Sequence, residues 1–453
     1  MSPRPPKFDK REDVYGVAQI VHGWPPESVG GSELYAHALF EGIRANGVAS
    51  AAFVRSADGD REGAVRDADG LRRIRLTADG VKRLEQTWFR RDVAPHFREW
   101  LKVHEPRVVH FHHLTWLSTD LPRLAREAGA LVVYTLHDYW LFCARGQLVD
   151  AQNNRCSGPE PSKCARCLGD QTALNPVTAR LGRTTRALPE RLRSTLRSWL
   201  PRPNAATSAE LLSQRTQAIA GAIDAIHQFT TPSDHMRRKA IGFGIPADRI
   251  ETVDLPLVQP ITPAPEPGEG PVRFLFIGTL LPTKGVERLV NAFARLPAGA
   301  ASLTLYGPRV AVDTHPRFAE RMSERVAEIP GASLNPPFPP GAVSDVLAAA
   351  DVLVIPSTWE ENSPLVLREA QAAGLRVIAS KIGGIPELST TARWVSPDDD
   401  GALLSALQAE SRLGRRRLAP RSYANPNEHA AGLLRRYRAW AREAELEPVP
   451  DSR

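Results

Sequence analysis

The stretch WEENSPLVLREAQAAG, residues 359–374, sets Glu361 and Glu369 eight positions apart, directly after the apolar run VLVIPS. The run reads as a buried strand, TWEEN as the loop that follows, and SPLVLREAQAAG as a helix with Pro364 in its first turn. Glu361 then sits in a loop at the carboxyl end of a strand, and Glu369 two turns into the helix. Glutamates near a helix start commonly do no more than favour the dipole, by ~0.3–1 kcal/mol. Glu369, flanked by Leu367, Ala370 and Ala373, reads as turned towards the interior, where a carboxylate needs hydroxyl or amide donors. Ribose and hexose hydroxyls are such donors.

Other residues of chemical interest stand at the ends of apolar runs. In FLFIGTLLPTKGVERLV the strand ends at Gly278, and Lys284 with Gly285 precedes a helix, so that an ammonium and free N–H groups face one point. The plain alternative is a lysine in a solvated loop. Gly30 and Gly31 in WPPESVGGSELYAHALFEGI open another helix, with Ser32 as its cap, and backbone amides there can approach a phosphate closely. KIGGIPEL adds Gly383 and Gly384. VVHFHHL supplies His110, His112 and His113, the first two on one face of a strand and the third on the other. LVVYTLHDYW ends in His137 and Asp138, and Asp138 is a conceivable base or nucleophile.

All four cysteines, Cys143, Cys156, Cys164 and Cys167, fall in one segment as C-x12-C-x7-C-x2-C. The order resembles a four-cysteine structural zinc site; free thiols and redox pairing are the alternatives, and four cysteines would leave no open position for a catalytic zinc. Between Arg180 and Arg202 seven arginines and one acid, Glu190, alternate with Leu181, Leu188, Leu192, Leu196, Trp199 and Leu200. That is a basic amphipathic helix, interrupted by Pro189, whose charged face is either solvated or in peripheral contact with an anionic membrane surface.

These residues need a scaffold, and 453 residues exceed the roughly 250–300 at which single cores stop growing. At 42% hydrophobic and 24% charged the chain is too apolar for disorder. Short apolar runs alternate with amphipathic segments, pause at the proline-rich VQPITPAPEPGEG, and then resume, which is the rhythm of two parallel sheets wrapped by helices. The domains expected are residues 1–256, carrying a Cys-rich and Arg-rich insertion at about 143–215; residues 257–425; and a terminal helix in 426–453 that packs back on the first lobe. Ligands in such sheets bind at the carboxyl ends of the strands. The N-terminus lacks the apolar core of a signal peptide and no apolar run approaches ~20 residues, so a cytoplasmic protein is expected, at most peripheral at the inner face of the membrane.

The block LAAADVLVIPSTWEENSPLVLREAQAAGLRVIASKIGGIPEL resembles the family-4 retaining glycosyltransferases, with Glu361 and Glu369 as their Glu-x7-Glu motif. VGGSELYAHAL, VVHFHH, TLHDYWLFC, FIGTLLPTKG and GGIPEL follow in the family's order, and coverage is weakest from about 144 to 220. The resemblance implies an α/β GT-B fold, two doubly wound Rossmann-like domains with parallel sheets facing an interdomain cleft. It implies a nucleoside diphosphate sugar donor, with Glu361 on the transferred sugar, Glu369 on the ribose, and backbone amides of Asn362, Ser363 and Leu365 near sugar and diphosphate. Lys284 would neutralise the leaving diphosphate, Gly278 and Thr279 would border the donor, and Gly30 and Gly31 would let the first lobe close on it. His112 matches the family's sugar-contacting histidine, while His137 and Asp138 would line the acceptor side. The family commonly places arginine where this chain has Thr279; either another arginine, such as Arg309, substitutes for it, or Lys284 and backbone amides hold the phosphate alone.

The resulting expectation is a retaining transferase acting without a catalytic metal on an acceptor hydroxyl of a saccharide, lipid-linked saccharide or small molecule, in cell-envelope polysaccharide or glycolipid synthesis. Natural-product glycosylation, or an epimerase or phosphorylase on the same scaffold, is the alternative. A zinc-containing basic protein that binds nucleic acid or lipid is the distant one; no nucleic-acid partner is expected.

Overall fold

The computed structural model describes residues 16–59, 61–76, 84–169, 205–310, 315 and 317–446. The arginine-rich segment 180–202 lies outside the described residues.

The first lobe runs β1 (Val17–Val21), α1 (Gly31–Ala45), β2 (Ser50–Ser56), β3 (Val65–Ala68), β4 (Leu71–Arg75), α2 (Val93–His104), β5 (Val108–Phe111), α3 (Leu121–Glu127) and β6 (Leu131–Thr135). It continues with α4 (Pro161–Gly169), α5 (Ala205–Ala225), β7 (Gln228–Thr231), α6 (Asp234–Gly242) and β8 (Ile250–Thr252). The strands form one eight-stranded sheet in the order β3-β4-β2-β1-β5-β6-β7-β8, parallel except for the β3–β4 pair. Strands β1, β5, β6 and β7 are buried along their whole length, as central strands of a sheet covered on both faces are.

The second lobe runs β9 (Val272–Ile277), α7 (Val286–Phe293), β10 (Ala301–Tyr306), α8 (Phe318–Ala327), β11 (Ala332–Asn335) and α9 (Val343–Ala348). Then come β12 (Val352–Ile355), α10 (Leu365–Ala372), β13 (Arg376–Ser380), β14 (Arg393–Val395), α11 (Asp400–Arg412) and α12 (Pro426–Glu443). Its six strands are parallel in the order β11-β10-β9-β12-β13-β14.

Each sheet reverses direction at one point, between β1 and β5 in the first lobe and between β9 and β12 in the second. Loops that leave adjacent strands there diverge to opposite faces and open a crevice. Gly30 and Gly31 follow β1, and His112 and His113 follow β5; Lys284 follows β9 and Glu361 follows β12.

Two segments hold the lobes together. The proline-rich passage is not a free linker: Ile261 and Ala264 pack on the second lobe's core, and Ala264 N–H donates to Ala373 O at 2.9 Å. Helix α12 starts with a capping box, Asn425 and Glu428 bonding reciprocally around Pro426. Its apolar stripe of Ala430, Leu433, Leu434, Tyr437 and Ala441 lies against Tyr35, Leu39 and Ile43 of α1. Tyr437 reaches through to give its hydroxyl to His110 Nδ1 at 2.6 Å.

Candidate functional site

The turn after β9 is a single 3-10 turn, Pro282–Lys284, closed by Gly285 at φ 71°. A Cβ on Gly285 would lie 1.9 Å from Pro356 O, so only glycine lets this turn press against the end of β12. The close approach delivers Lys284 to the loop that carries Glu361. Lys284 Nζ donates to Glu361 Oε1 at 2.7 Å, Ser357 Oγ donates to the same oxygen at 2.7 Å, and the ammonium stands 5.4 Å over the Trp359 ring. Glu361 is 5% exposed. Gly383, at φ 60°, holds the other side: a Cβ there would collide with Glu361 O at 2.2 Å, and Gly384 N–H donates to that oxygen at 2.7 Å.

Helix α10 begins at Leu365 with Pro364 as its N-cap residue rather than inside the first turn, so Glu369 is little more than one turn from the helix start, closer than the sequence suggested. Among the described residues its side-chain donor is Gln259 Nε2, at a long 3.5 Å. Burial with so little compensation pushes the carboxyl up to about 7, which Gln259 opposes weakly. The two glutamates therefore occupy opposite environments: one is neutralised by an ammonium, and the other is buried and short of donors. Ser363 accepts from buried Arg368 at 3.2 Å. Thr279 is half-buried on the turn after β9, Gly278 N–H donates to Tyr306 O at 3.0 Å, and Arg309 is exposed beyond β10.

Across the crevice, α1 begins at Gly31, whose Cβ position is 3.7 Å from Leu365 Cδ1 of α10. Two helix N-termini thus face one gap, and neither has a side-chain cap. Ser32 does not cap α1: its hydroxyl donates to Glu33 Oε2 at 2.7 Å instead. Glu33, which the sequence reading passed over, also accepts from Ser28 Oγ at 2.7 Å and lies 3.5 Å from His22 Nε2. Burial alone would raise its pKa, but His22 and the two serine hydroxyls outweigh that and hold it below its ordinary value. A glutamate at the third helical position after two glycines was the available signal.

The histidines form a buried chain. His112 is fully buried, with Nε2 at 2.6 Å from Gln19 Oε1 and Nδ1 at 3.2 Å from His137 Nε2. With Gln19 Oε1 as the acceptor, His112 Nε2 and His137 Nε2 carry the protons, which leaves His137 Nδ1 as an acceptor. Burial, with His110 and then His137 adding to it, keeps His112 far below its ordinary value, and burial takes His137 to about 3 against the opposing carboxylate of Asp138, so both are neutral at neutral pH. His110 is committed to Tyr437 and Thr135, a packing role. Asp138 accepts from the Trp140 amide at 2.8 Å and pairs with His113 at 3.3 Å. Burial would raise its pKa, but His113 and that amide together lower it.

The four cysteines are free and half-buried, Cys143 following β6, Cys156 beyond the Val149–Arg155 bridge, Cys164 and Cys167 on α4. Among the described residues no group of three or more His, Cys, Asp or Glu side chains is arranged to hold a metal ion. No described helix is long and apolar enough to cross a membrane.

The two crevices coincide with two family matches. A model described as glycosyl transferases group 1 matches residues 271–409, and one described as glycosyl transferase 4-like domain matches residues 30–159. The chain thus carries a group 1 glycosyltransferase domain in its second lobe and a glycosyltransferase 4-like domain in its first. Among curated members it is similar to the D-inositol 3-phosphate glycosyltransferase of Mycobacteroides abscessus, 25% identical over 79% of this chain and 71% of that one. Across the first relatives, the chain spans from 41% to 71% of their own length. Its fold matches sucrose-phosphate synthase of Thermosynechococcus elongatus, with a TM-score of 0.56, 19% identity and coverage of 95% and 97% of the two chains. It also matches Anabaena HepE in complex with UDP and glucose, with a TM-score of 0.54, 13% identity and coverage of 95% and 98%. The chain therefore has the two-lobed GT-B fold.

Proposed function

We propose that the chain is a retaining glycosyltransferase that moves a sugar from a nucleoside diphosphate donor to an acceptor hydroxyl. The observation that carries the reading is the Lys284–Glu361 pair beside the uncapped start of α10, at the point where the second sheet reverses. Without donor, the lysine is neutralised by the glutamate; a diphosphate would draw the ammonium to itself and free Glu361 for the sugar's hydroxyls. Glu369, buried and short of donors, would accept from the ribose. The bond from the sugar's anomeric carbon to the diphosphate breaks, the acceptor oxygen bonds on the same face, and the acceptor's proton passes to the departing phosphate. Lys284 and the helix N-termini stabilise the charge that develops there. No enzymic nucleophile is required. The acceptor would lie over His137 and Asp138, and cell-envelope polysaccharide or glycolipid precursors are the class proposed.

The UDP held by the Anabaena protein makes UDP-sugars the first donors to try. Thermal shift with UDP-, GDP- and ADP-sugars tests the reading. One nucleotide should stabilise wild type but not Glu369→Ala, whereas no shift with any of them would count against it.

A further inference from the structure

Asn362 directly follows Glu361 and is 3% exposed, yet its side chain bonds only to the first lobe. Its Nδ2 donates to Leu136 O at 2.8 Å and more distantly to His137 O at 3.4 Å, both at the end of β6. Its Oδ1 accepts from Ser233 Oγ at 2.5 Å. Two carbonyl oxygens on one side can only accept, so the carboxamide orientation follows from chemistry. Ser233 is itself 1% exposed and caps α6, accepting from Met236 N–H at 3.2 Å while its hydroxyl proton goes to Asn362. Both polar atoms of the carboxamide and the serine hydroxyl are hydrogen-bonded.

The residues on either side of the junction repeat the pattern. Glu360 pairs with His235 at 3.0 Å and Lys239 at 2.9 Å. Glu387 accepts the amides of Asp234 at 2.7 Å and His235 at 2.8 Å, so a second-lobe carboxylate occupies the N-terminus of a first-lobe helix. These outer contacts are partly solvated and can exchange with water at little loss. Asn362 and Ser233 are buried and cannot.

We propose that Asn362 is a positioning residue: it ties the Glu361 loop to the end of the strand that presents His137 and Asp138, so that closure of the lobes sets the donor sugar in register with the acceptor. It is placed to do so because Glu361 holds the lysine through its side chain while the adjoining carboxamide holds the opposite lobe. The inference rests on the transferase reading for its consequence but not for its geometry.

The test compares wild type, Asn362→Asp and Ser233→Ala. Asn362→Asp keeps the shape and the oxygen facing Ser233 but sets a second oxygen against Leu136 O. With the nucleotide that most stabilises wild type among UDP, GDP and ADP, affinity of Asn362→Asp should stay within about threefold, since Lys284 and Glu369 are untouched. Small-angle scattering should show that the nucleotide-saturated variant remains more open than wild type. With the corresponding glucose donor, kcat should fall roughly 10- to 100-fold while the donor KM moves little, as loss of register rather than of binding dictates. Ser233→Ala should move scattering and kcat in the same direction by less. Scattering and kcat equal to wild type would overturn the proposal, as would affinity, melting temperature and kcat falling together, which would mark Asn362 as packing only. The scattering arm requires no turnover, so a wild-type chain that closes on nucleotide without transferring sugar would refute the transferase reading and leave the junction standing.

Discussion

Replacing Glu369 with glutamine should make the nucleotide-free protein more stable at pH 8 and the nucleotide complex weaker, opposite effects of one atom change. In the folded chain burial raises this carboxyl from 4.5 to about 7, with only Gln259 at 3.5 Å to offset it. A raised carboxyl contributes stability that is fully present below pH 4.5 and is lost as pH climbs through 7. The gap corresponds to about 3 kcal/mol of strain in the ionised, ligand-free state, an upper figure for what glutamine can recover at pH 8. In the proposed complex ribose hydroxyls would relieve that strain by donating to the carboxylate, and a hydrogen bond to a charged group contributes ~1.5–3 kcal/mol. Glu369→Gln should therefore weaken nucleotide binding by roughly 10- to 100-fold at pH 8. Wild-type affinity should fall about tenfold per pH unit below 7, with a proton released on binding, while the variant stays flat. Titration calorimetry in buffers of differing ionisation enthalpy reads both quantities, and chemical denaturation reads the stability. Equal pH profiles for the two proteins, or a variant destabilised without ligand, would refute the reasoning.

Lys284→Ala should lower kcat by about 100- to 1,000-fold, more than it weakens nucleotide binding, because the charge it meets is greatest as the diphosphate departs; steady-state kinetics beside calorimetry separates the two. Tyr437→Phe leaves buried His110 Nδ1 without its partner and should cost about 1–3 kcal/mol in urea unfolding, whereas Arg436→Ala, losing an exposed pair with Glu251, should cost under about 1 kcal/mol. Zinc at the four cysteines would require their sulfurs to draw together. The zinc reading expects one equivalent of metal in the purified chain, lost together with the appearance of four reactive thiols on chelation, and a metal-free chain with four reactive thiols would remove it.

The parts of this site that were legible in sequence are those set by local periodicity. Glu361 after an apolar run and Glu369 on the following helix follow from spacing, as do the glycines that let turns approach a neighbouring strand. Parallel α/β architecture in two units is equally a matter of alternation. What escaped is non-local. The Lys284–Glu361 pair spans 77 positions, and Asn362 reaches Ser233 across 129 and Leu136 across 226, separations on which no pattern in the chain bears. Side-chain alternation puts His110 and His112 on one face, and the structure sets their ring centroids 4.4 Å apart with the planes tilted, yet alternation does not reveal that α12 and Gln19 cover both. Ser32 was read as a cap from its type alone; the helix already starts at Gly31 with Gly30 as its N-cap residue, so Ser32 lies inside the first turn, where its hydroxyl donates to Glu33.

The anomeric configuration of the product is the most direct measurement of the central claim. With UDP-glucose, whose glucose is α-linked, and a panel of saccharide and lipid-linked saccharide acceptors, proton NMR of the purified product should show an α-glucoside that is absent when Glu361→Ala replaces wild type. A β-glucoside, or the same yield from the variant, would contradict the account.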